Sequence, residues 1–275
     1  MNSSNKDDIA ISNWIAFDGQ LETILRRHTG LICWTAGESS PVFGVKDNGT
    51  FCFIQTQQKR FLLTCSHIWK GFEKEKADGV CLWVTLIRND VQGSPSFPFL
   101  AKNPILIDED ARLDLATITF DGIDSLEPWR FHYLTRPCTC HLTKGSPACF
   151  IAYTGEGLRE GAGQRVLNYS FFTVTVSEMG KTRFLLHDKS GTSHLFDKAG
   201  NEIAPIKMGG ASGAPIFSFD SNLKIWLAGV VCEISSPGLS GRGASINYET
   251  SDGDIYAAYV DFVQTDGTIR MNQNS

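Results

Sequence analysis

The sequence lacks any apolar run long enough to cross a membrane. No stretch of about 18 consecutive apolar residues occurs in the chain. The first ten residues are polar and acidic, without the apolar core that a signal peptide needs. From these absences we expect a soluble, cytoplasmic protein.

The sequence also lacks an excess of positive charge. Lysine and arginine together number 25 against 30 acidic residues, which gives a formal net charge of −5. Nucleic acids and anionic membranes attract basic surfaces, so this balance argues against both as partners. Hydrophobic residues make up 42% of the 275 residues, enough to build a sizeable core. We therefore expect a folded globular protein.

The eight cysteines lack the spacing of a disulfide framework. Most of them lie inside apolar, strand-like runs, which is typical of buried and reduced thiols. An alternative is a metal site formed by Cys138, Cys140 and His141, with Cys149 nearby. Two cysteines separated by one residue, however, match no usual zinc spacing. We predict no metal and no cofactor.

Short runs rich in β-branched and aromatic residues alternate with turn residues along the chain. Before them, Leu21, Ile24 and Leu25 share one face of a short helix that Asp18 can cap and Gly30 can end. The pattern predicts an all-β barrel or sandwich with a short N-terminal helix. The predicted strands include Leu31–Trp34, Thr50–Gln55, Arg60–Cys65, Val80–Ile87, Leu113–Phe120, Ala148–Tyr153, Ser170–Val176, Arg183–His187, Pro215–Phe219, Ile225–Cys232 and Ile255–Phe262.

A linker-like region at 121–144 divides these strands into two halves. It contains Pro128 and Pro137 and has no clear alternating pattern. A second irregular region, 188–207, is long enough that we expect a functional or flexible loop. We predict an N-terminal segment with its helix at 1–30, a first barrel at 31–125, a crossing linker at 126–145, a second barrel at 146–265 and a tail at 266–275.

Three residues suited to acyl-transfer chemistry lie beside predicted strands. His67 follows an apolar run, and its near-neutral imidazole suits a general base. Asp114 begins another run, where a carboxylate needs a partner such as an imidazole N–H. Ser212 lies in a glycine-rich bend, and a serine becomes nucleophilic only beside a base. The alternatives are a structural histidine, a turn-capping aspartate and an ordinary glycine-rich hairpin.

Taken in chain order, these motifs resemble those of the trypsin-like serine peptidases. Thr64–His67 looks like the Thr-Ala-Ala-His motif, Asp114–Ala116 matches Asp-Leu-Ala, and Gly210–Pro215 is similar to Gly-Asp-Ser-Gly-Gly-Pro. The resemblance spans about 31–263. It implies two six-stranded-type antiparallel β-barrels and a triad in the order histidine, aspartate, serine.

The resemblance implies a serine endopeptidase that hydrolyses proteins or peptides through an acyl-enzyme intermediate. Ser212 would attack the scissile carbonyl, His67 would take its proton and pass it to the leaving amine, and Asp114 would orient His67. The backbone N–H groups of Gly210 and Ser212 would form the oxyanion hole. The alternative is a catalytically silent binding or scaffold module with the same fold.

Ala211 departs from the motif of the digestive and clotting enzymes. Those enzymes have an aspartate there, which pairs with a newly cut amino terminus. The chain looks more like the bacterial, viral and HtrA-type members, in which this position is not aspartate. We therefore expect activity to be gated in another way, by ordering of the loop 188–207 or by a regulatory protein docking near the N-terminal helix.

The resemblance also implies a specificity pocket without deciding the substrate. The pocket would be lined by residues from three segments: Ile206, Cys232, Glu233, Ile234, Tyr256 and Ala258. Glu233 could favour a basic substrate residue, whereas Cys232 and Tyr256 would favour an apolar one. An equal alternative is that Glu233 points to solvent at the end of a strand.

Overall fold

Two antiparallel β-sheets dominate the computed structural model, which confirms the predicted all-β class. No described helix is both long and apolar enough to cross a membrane. The structure describes residues 19–37, 45–86, 97–134, 142–153, 158–161, 164–167, 169–187, 195–196, 202–203, 210–219, 224–235 and 254–271.

The first sheet contains eight strands. They are β1 (Thr29–Ala36), β2 (Val45–Gln55), β3 (Arg60–Thr64), β4 (Val80–Leu86), β5 (Phe97–Leu100), β6 (Lys102–Asp110), β7 (Leu115–Asp121) and β8 (His132–Tyr133). Seven follow the order β5-β4-β1-β2-β3-β7-β6, and β8 pairs in parallel with β2. Over the described residues this sheet is a half-barrel, open between its end strands β5 and β6. Pro98 suits the edge position of β5, because proline has no N–H to donate to a further strand.

The second sheet is a closed barrel in the order β12-β13-β18-β17-β16-β9. Its strands are β9 (Pro147–Ala152), β12 (Ser170–Met179), β13 (Arg183–His187), β16 (Pro215–Phe219), β17 (Ile225–Ser235) and β18 (Asp254–Tyr259). Two short hairpins accompany it: β10 (Leu158–Gly161) with β11 (Gln164–Leu167), and β14 (Leu195–Phe196) with β15 (Glu202–Ile203). The second hairpin lies in the predicted loop 188–207, most of which is outside the described residues. The described strands thus form a half-barrel sheet followed by a closed six-stranded barrel.

The described residues include two α-helices, of which α2 packs against the first sheet. The predicted N-terminal helix is present as α1 (19–28), with Leu21 and Leu25 fully buried; its predicted cap, Asp18, lies outside the described residues. The sequence analysis missed α2 (Ser66–Lys76), which buries Ile68, Trp69 and Phe72 along one face. Consequently His67 lies in the first turn of a helix and not at a strand end.

The chain's last described segment returns from the second barrel to the first sheet. Thr117 in β7 donates its hydroxyl to the Gly267 carbonyl at 2.6 Å. The Ile269 N–H donates to the Asp108 carboxylate on β6 at 2.7 Å. These two hydrogen bonds hold the last described segment, which follows the second barrel, against the first sheet. The predicted domain boundaries themselves stay a prediction.

Replacing Thr117 by valine tests this tie. Thr117→Val keeps the side-chain shape but leaves the buried Gly267 carbonyl without its donor, so we expect the free energy of unfolding to fall by about 1–3 kcal/mol. Thr119→Val on the same strand is the matched control, because that partly exposed threonine makes no such bond. Urea denaturation measures both; equal losses would contradict the assignment.

Candidate active site

Asp114 holds His67 by two atoms. The imidazole Nδ1 lies 2.7 Å from Asp114 Oδ2, and the His67 backbone N–H donates to Oδ1 at 3.0 Å. The second bond caps the N-terminus of α2, where a negative charge is favourable. With its Nδ1–H donating to the carboxylate, a neutral His67 keeps Nε2 as an acceptor. The side chain is 48% exposed, so a reactant can reach it.

A strained turn sets the position of Asp114. Its backbone is left-handed, with φ at +57°, a conformation that aspartate tolerates better than most residues. The Asp110 carboxylate stabilises the turn by accepting from the Arg112 and Leu113 N–H groups at 2.8 and 3.2 Å. The predicted aspartate is therefore at the turn before β7, facing the first turn of α2.

Ser212 lies in a tight turn that begins β16. Gly210 and Gly213 both have positive φ, at +93° and +86°. The Ala214 N–H donates to the Ala211 carbonyl at 2.9 Å, closing the turn. Because the peptide between Ala211 and Ser212 is planar, its N–H points away from that carbonyl. Among the described residues the Ser212 N–H has no acceptor, which suits a donor for an oxyanion.

Two parts of the predicted machinery remain to be placed beside this turn: the second oxyanion donor and the partner of the serine hydroxyl. The Gly210 N–H belongs to the peptide shared with Gly209, which lies outside the described residues. Within the described part of the chain, no hydrogen bond joins the Ser212 hydroxyl to His67. Nucleophile and base often lie farther apart without substrate than in the reacting complex.

Thr50, which the sequence analysis missed, fastens the serine turn to the first sheet. Its N–H donates to the Ser212 carbonyl and its hydroxyl to the Gly210 carbonyl, both at 2.8 Å. The hydroxyl also accepts from the Tyr153 N–H at 3.1 Å, and the Thr50 carbonyl accepts from the Thr64 hydroxyl at 2.7 Å. One fully buried threonine thus fixes the carbonyls of both residues predicted to form the oxyanion hole. No motif singles it out, because its neighbours read as ordinary strand.

Cys232 lies behind the aspartate. It is the extra residue of a bulge in β17, where the pairing shifts between Val231 and Glu233. Its thiol lies 3.4 Å from the Leu113 carbonyl, so it faces the junction of the two sheets. Burial raises the pKa of the neighbouring Cys65 thiol, which keeps that thiol protonated and unreactive as a free nucleophile.

The predicted specificity pocket is described only in part. Ile206 and the Ile234 side chain lie outside the described residues. Glu233 is 63% exposed, with its carboxylate 3.6 Å from Arg183, which agrees with the solvent-facing alternative. Across the β17–β18 pair, Glu233 lies opposite the partly exposed Tyr256.

Two further residues from the predicted sites, Ala258 and Cys149, are buried. Ala258 is buried opposite Val230. Of the alternative zinc ligands, Cys138, Cys140 and His141 lie outside the described residues, and the buried Cys149 thiol lies 3.7 Å from the Phe217 carbonyl.

Thr50→Val tests the connection between the first sheet and the serine turn. The change keeps the shape but leaves the Gly210 carbonyl and the Tyr153 N–H unpaired. We expect a loss of about 1–3 kcal/mol for each unpaired group and faster hydrogen exchange at the Tyr153 amide. Thr85→Val is the matched control, because Thr85 is buried in the same sheet and its hydroxyl has no hydrogen-bond partner among the described residues. A comparable loss in both variants would contradict the role of Thr50.

No family model matches the sequence, and no curated protein matches it. The solved structures include a crystal structure of Deg5 to which this chain is similar. The alignment covers 95% of this chain and 92% of that one, with a TM-score of 0.48 and 13% sequence identity.

Proposed function

We propose that this chain is a serine endopeptidase that cleaves proteins or peptides through an acyl-enzyme intermediate. The observation that carries the proposal is the two-point contact between Asp114 and His67. It supports a fixed imidazole orientation, with Nδ1 protonated and Nε2 ready to accept a proton. In the proposed mechanism, Nε2 takes the proton of Ser212 as its oxygen attacks the scissile carbonyl, and later gives it to the leaving amine.

The same residues would stabilise the charges that form during the proposed reaction. Proton transfer makes His67 an imidazolium, and the adjacent Asp114 carboxylate would stabilise that charge. The carbonyl oxygen of the substrate becomes an oxyanion, for which the unpaired Ser212 N–H and the Gly210 N–H would be donors. Removing one such donor typically costs about 3–4 kcal/mol of transition-state stabilisation.

A catalytically silent module is the second candidate. One observation favours it: within the described residues the Ser212 hydroxyl has no hydrogen bond to His67. Such a module would bind a peptide or partner and cleave nothing. Turnover of a protein substrate separates the two candidates.

Labelling with a fluorophosphonate probe tests the proposed nucleophile. We expect the wild type to be labelled at Ser212, and Ser212→Ala to show no labelling. Asp114→Asn should lower the labelling rate by about three to four orders of magnitude, because the imidazole is then held in the wrong tautomer.

Glu109→Gln is the matched control for the aspartate. Glu109 lies nearby, accepts from the Ser66 hydroxyl at 3.0 Å, and does not contact His67. We expect its labelling rate to stay within a few-fold of the wild type. Labelling that persists in Ser212→Ala, or its absence from the wild type, would count against the peptidase.

We also propose that the N-terminal helix gates the site. A chain of contacts supports this: the Tyr169 hydroxyl donates to Glu22 on α1 at 2.8 Å, and its ring lies 6.3 Å from that of Tyr153. The Tyr153 N–H in turn donates to Thr50, which holds Gly210. A partner that moves α1 would therefore act on the proposed oxyanion hole.

Tyr169→Phe tests this gating by removing one hydroxyl. We expect the labelling rate of Ser212 to fall at least about twofold, because α1 then holds the neighbouring Tyr153 less firmly; loss of the bond itself costs only about 1 kcal/mol of stability. Tyr133→Phe is the control, because Tyr133 is 46% exposed and is not one of the residues in this chain of contacts. Equal rates in both variants would reject the gating role.

A further inference from the structure

Two thiols lie behind the His67–Asp114 pair, where the two sheets meet. Cys65 directly follows β3 of the first sheet, and Cys232 is the bulged residue of β17 in the second barrel. Both side chains are buried. Their Sγ atoms and one carboxylate oxygen of Asp114 all lie within 4.8 Å of one another. Cysteine spacing could not reveal this group, because its members come from three distant parts of the sequence.

We propose that Cys65, Cys232 and Asp114 form a binding site for a thiophilic divalent cation, with Zn²⁺ as the expected ion. Zinc binds cysteine sulfur at about 2.3 Å and carboxylate oxygen at about 2.0–2.2 Å in tetrahedral geometry. Ligand atoms in such a site are about 3.5–3.8 Å apart. The three atoms, which lie within 4.8 Å of one another, therefore need to approach by at most about 1.3 Å. The fourth position is left for a small ligand such as water.

Nearby carbonyl groups favour a positive charge at this place. The Cys65 thiol now donates to the Val231 carbonyl at 3.0 Å, and the Cys232 thiol lies 3.3 Å from the Val230 carbonyl. These oxygens are the negative ends of fixed dipoles that point at the cluster. On binding, the two S–H bonds break, two metal–sulfur bonds form, and two protons leave to the solvent. The bound cation would replace the two thiol protons and lie near the same two carbonyl oxygens.

The donor set selects the kind of cation. Two thiolates and one carboxylate suit zinc and cobalt, whereas Mg²⁺ and Ca²⁺ require mostly oxygen ligands. Occupancy would act on His67 through their shared partner, Asp114. A cation on the carboxylate would compete with the imidazole for the oxygen that orients it, so the proposed reaction would slow. This inhibitory effect rests on the proposed peptidase function, but binding itself does not.

Co²⁺ titration of the reduced full-length chain tests the site. We expect a thiolate-to-cobalt charge-transfer absorption that saturates at one equivalent, that Zn²⁺ displaces, and that Mg²⁺ does not produce. Ser212→Ala should bind cobalt equally, because Ser212 is not a ligand. Absence of the absorption from the wild type would overturn the proposal.

Cysteine variants locate the cation. Cys65→Ser keeps a donor for the Val231 carbonyl but loses the thiolate, so its charge-transfer absorption should largely disappear; Cys232→Ser serves if that variant does not fold. Asp114→Asn should weaken cobalt binding at least about tenfold. Cys52→Ser is the matched control, because the Cys52 thiol is buried against the Phe53 carbonyl, away from the cluster. Unchanged absorption in both Cys65→Ser and Cys232→Ser would overturn the assignment.

Zn²⁺ inhibition separates this proposal from the peptidase proposal. Zn²⁺ should slow fluorophosphonate labelling of the wild type at least about tenfold and leave Cys65→Ser unaffected. If cobalt binds but the metal-free protein is never labelled, the peptidase proposal fails and the metal site stands. If labelling occurs and cobalt does not bind, the metal site fails alone.

Discussion

The buried contact of Thr50 with the serine turn is the constraint on which the rest of the site depends. Thr50 belongs to the first sheet, whereas Gly210 and Ser212 precede the first residue of β16 in the second barrel. A turn from one sheet is thus held by a strand of the other. Any shift between the sheets would break two buried hydrogen bonds at once, each expensive to leave unmade. The sheets and the turn therefore act as one rigid support for Ser212.

Asp114 supports His67 in the way that Thr50 supports the serine turn. Its carboxylate caps α2 and contacts the His67 imidazole, so folding of the helix and orientation of the base depend on one side chain. A carboxylate that is 17% exposed needs such donors to offset its desolvation. Behind it lie the thiols of Cys65 and Cys232. The proposed base and the proposed cation site therefore share this one carboxylate.

The sequence predicted those features that depend on local pattern and chain order. Strands β3, β7 and β16 were predicted correctly, because the apolar residues of each are continuous in the sequence. Helix α2 was missed because it begins directly after an apolar strand and exposes a charged face. Thr50 and the bulge at Cys232 could not be predicted, since their importance comes from contacts between distant segments. The motif around Asp114 predicted an aspartate beside a histidine, but not the left-handed turn that aims it.

The glycines beside Ser212 have a structural cause that is independent of catalysis. A Cβ at Gly213 would overlap the Thr50 carbonyl, and one at Gly210 would overlap the Tyr153 carbonyl, so both positions need glycine for the sheets to meet. A glycine-rich bend would therefore be present in a silent module as well. Packing does not require an exposed imidazole held by a carboxylate, nor a Ser212 N–H without an acceptor among the described residues. Those two features, and not the glycines, are the ones that support the peptidase proposal.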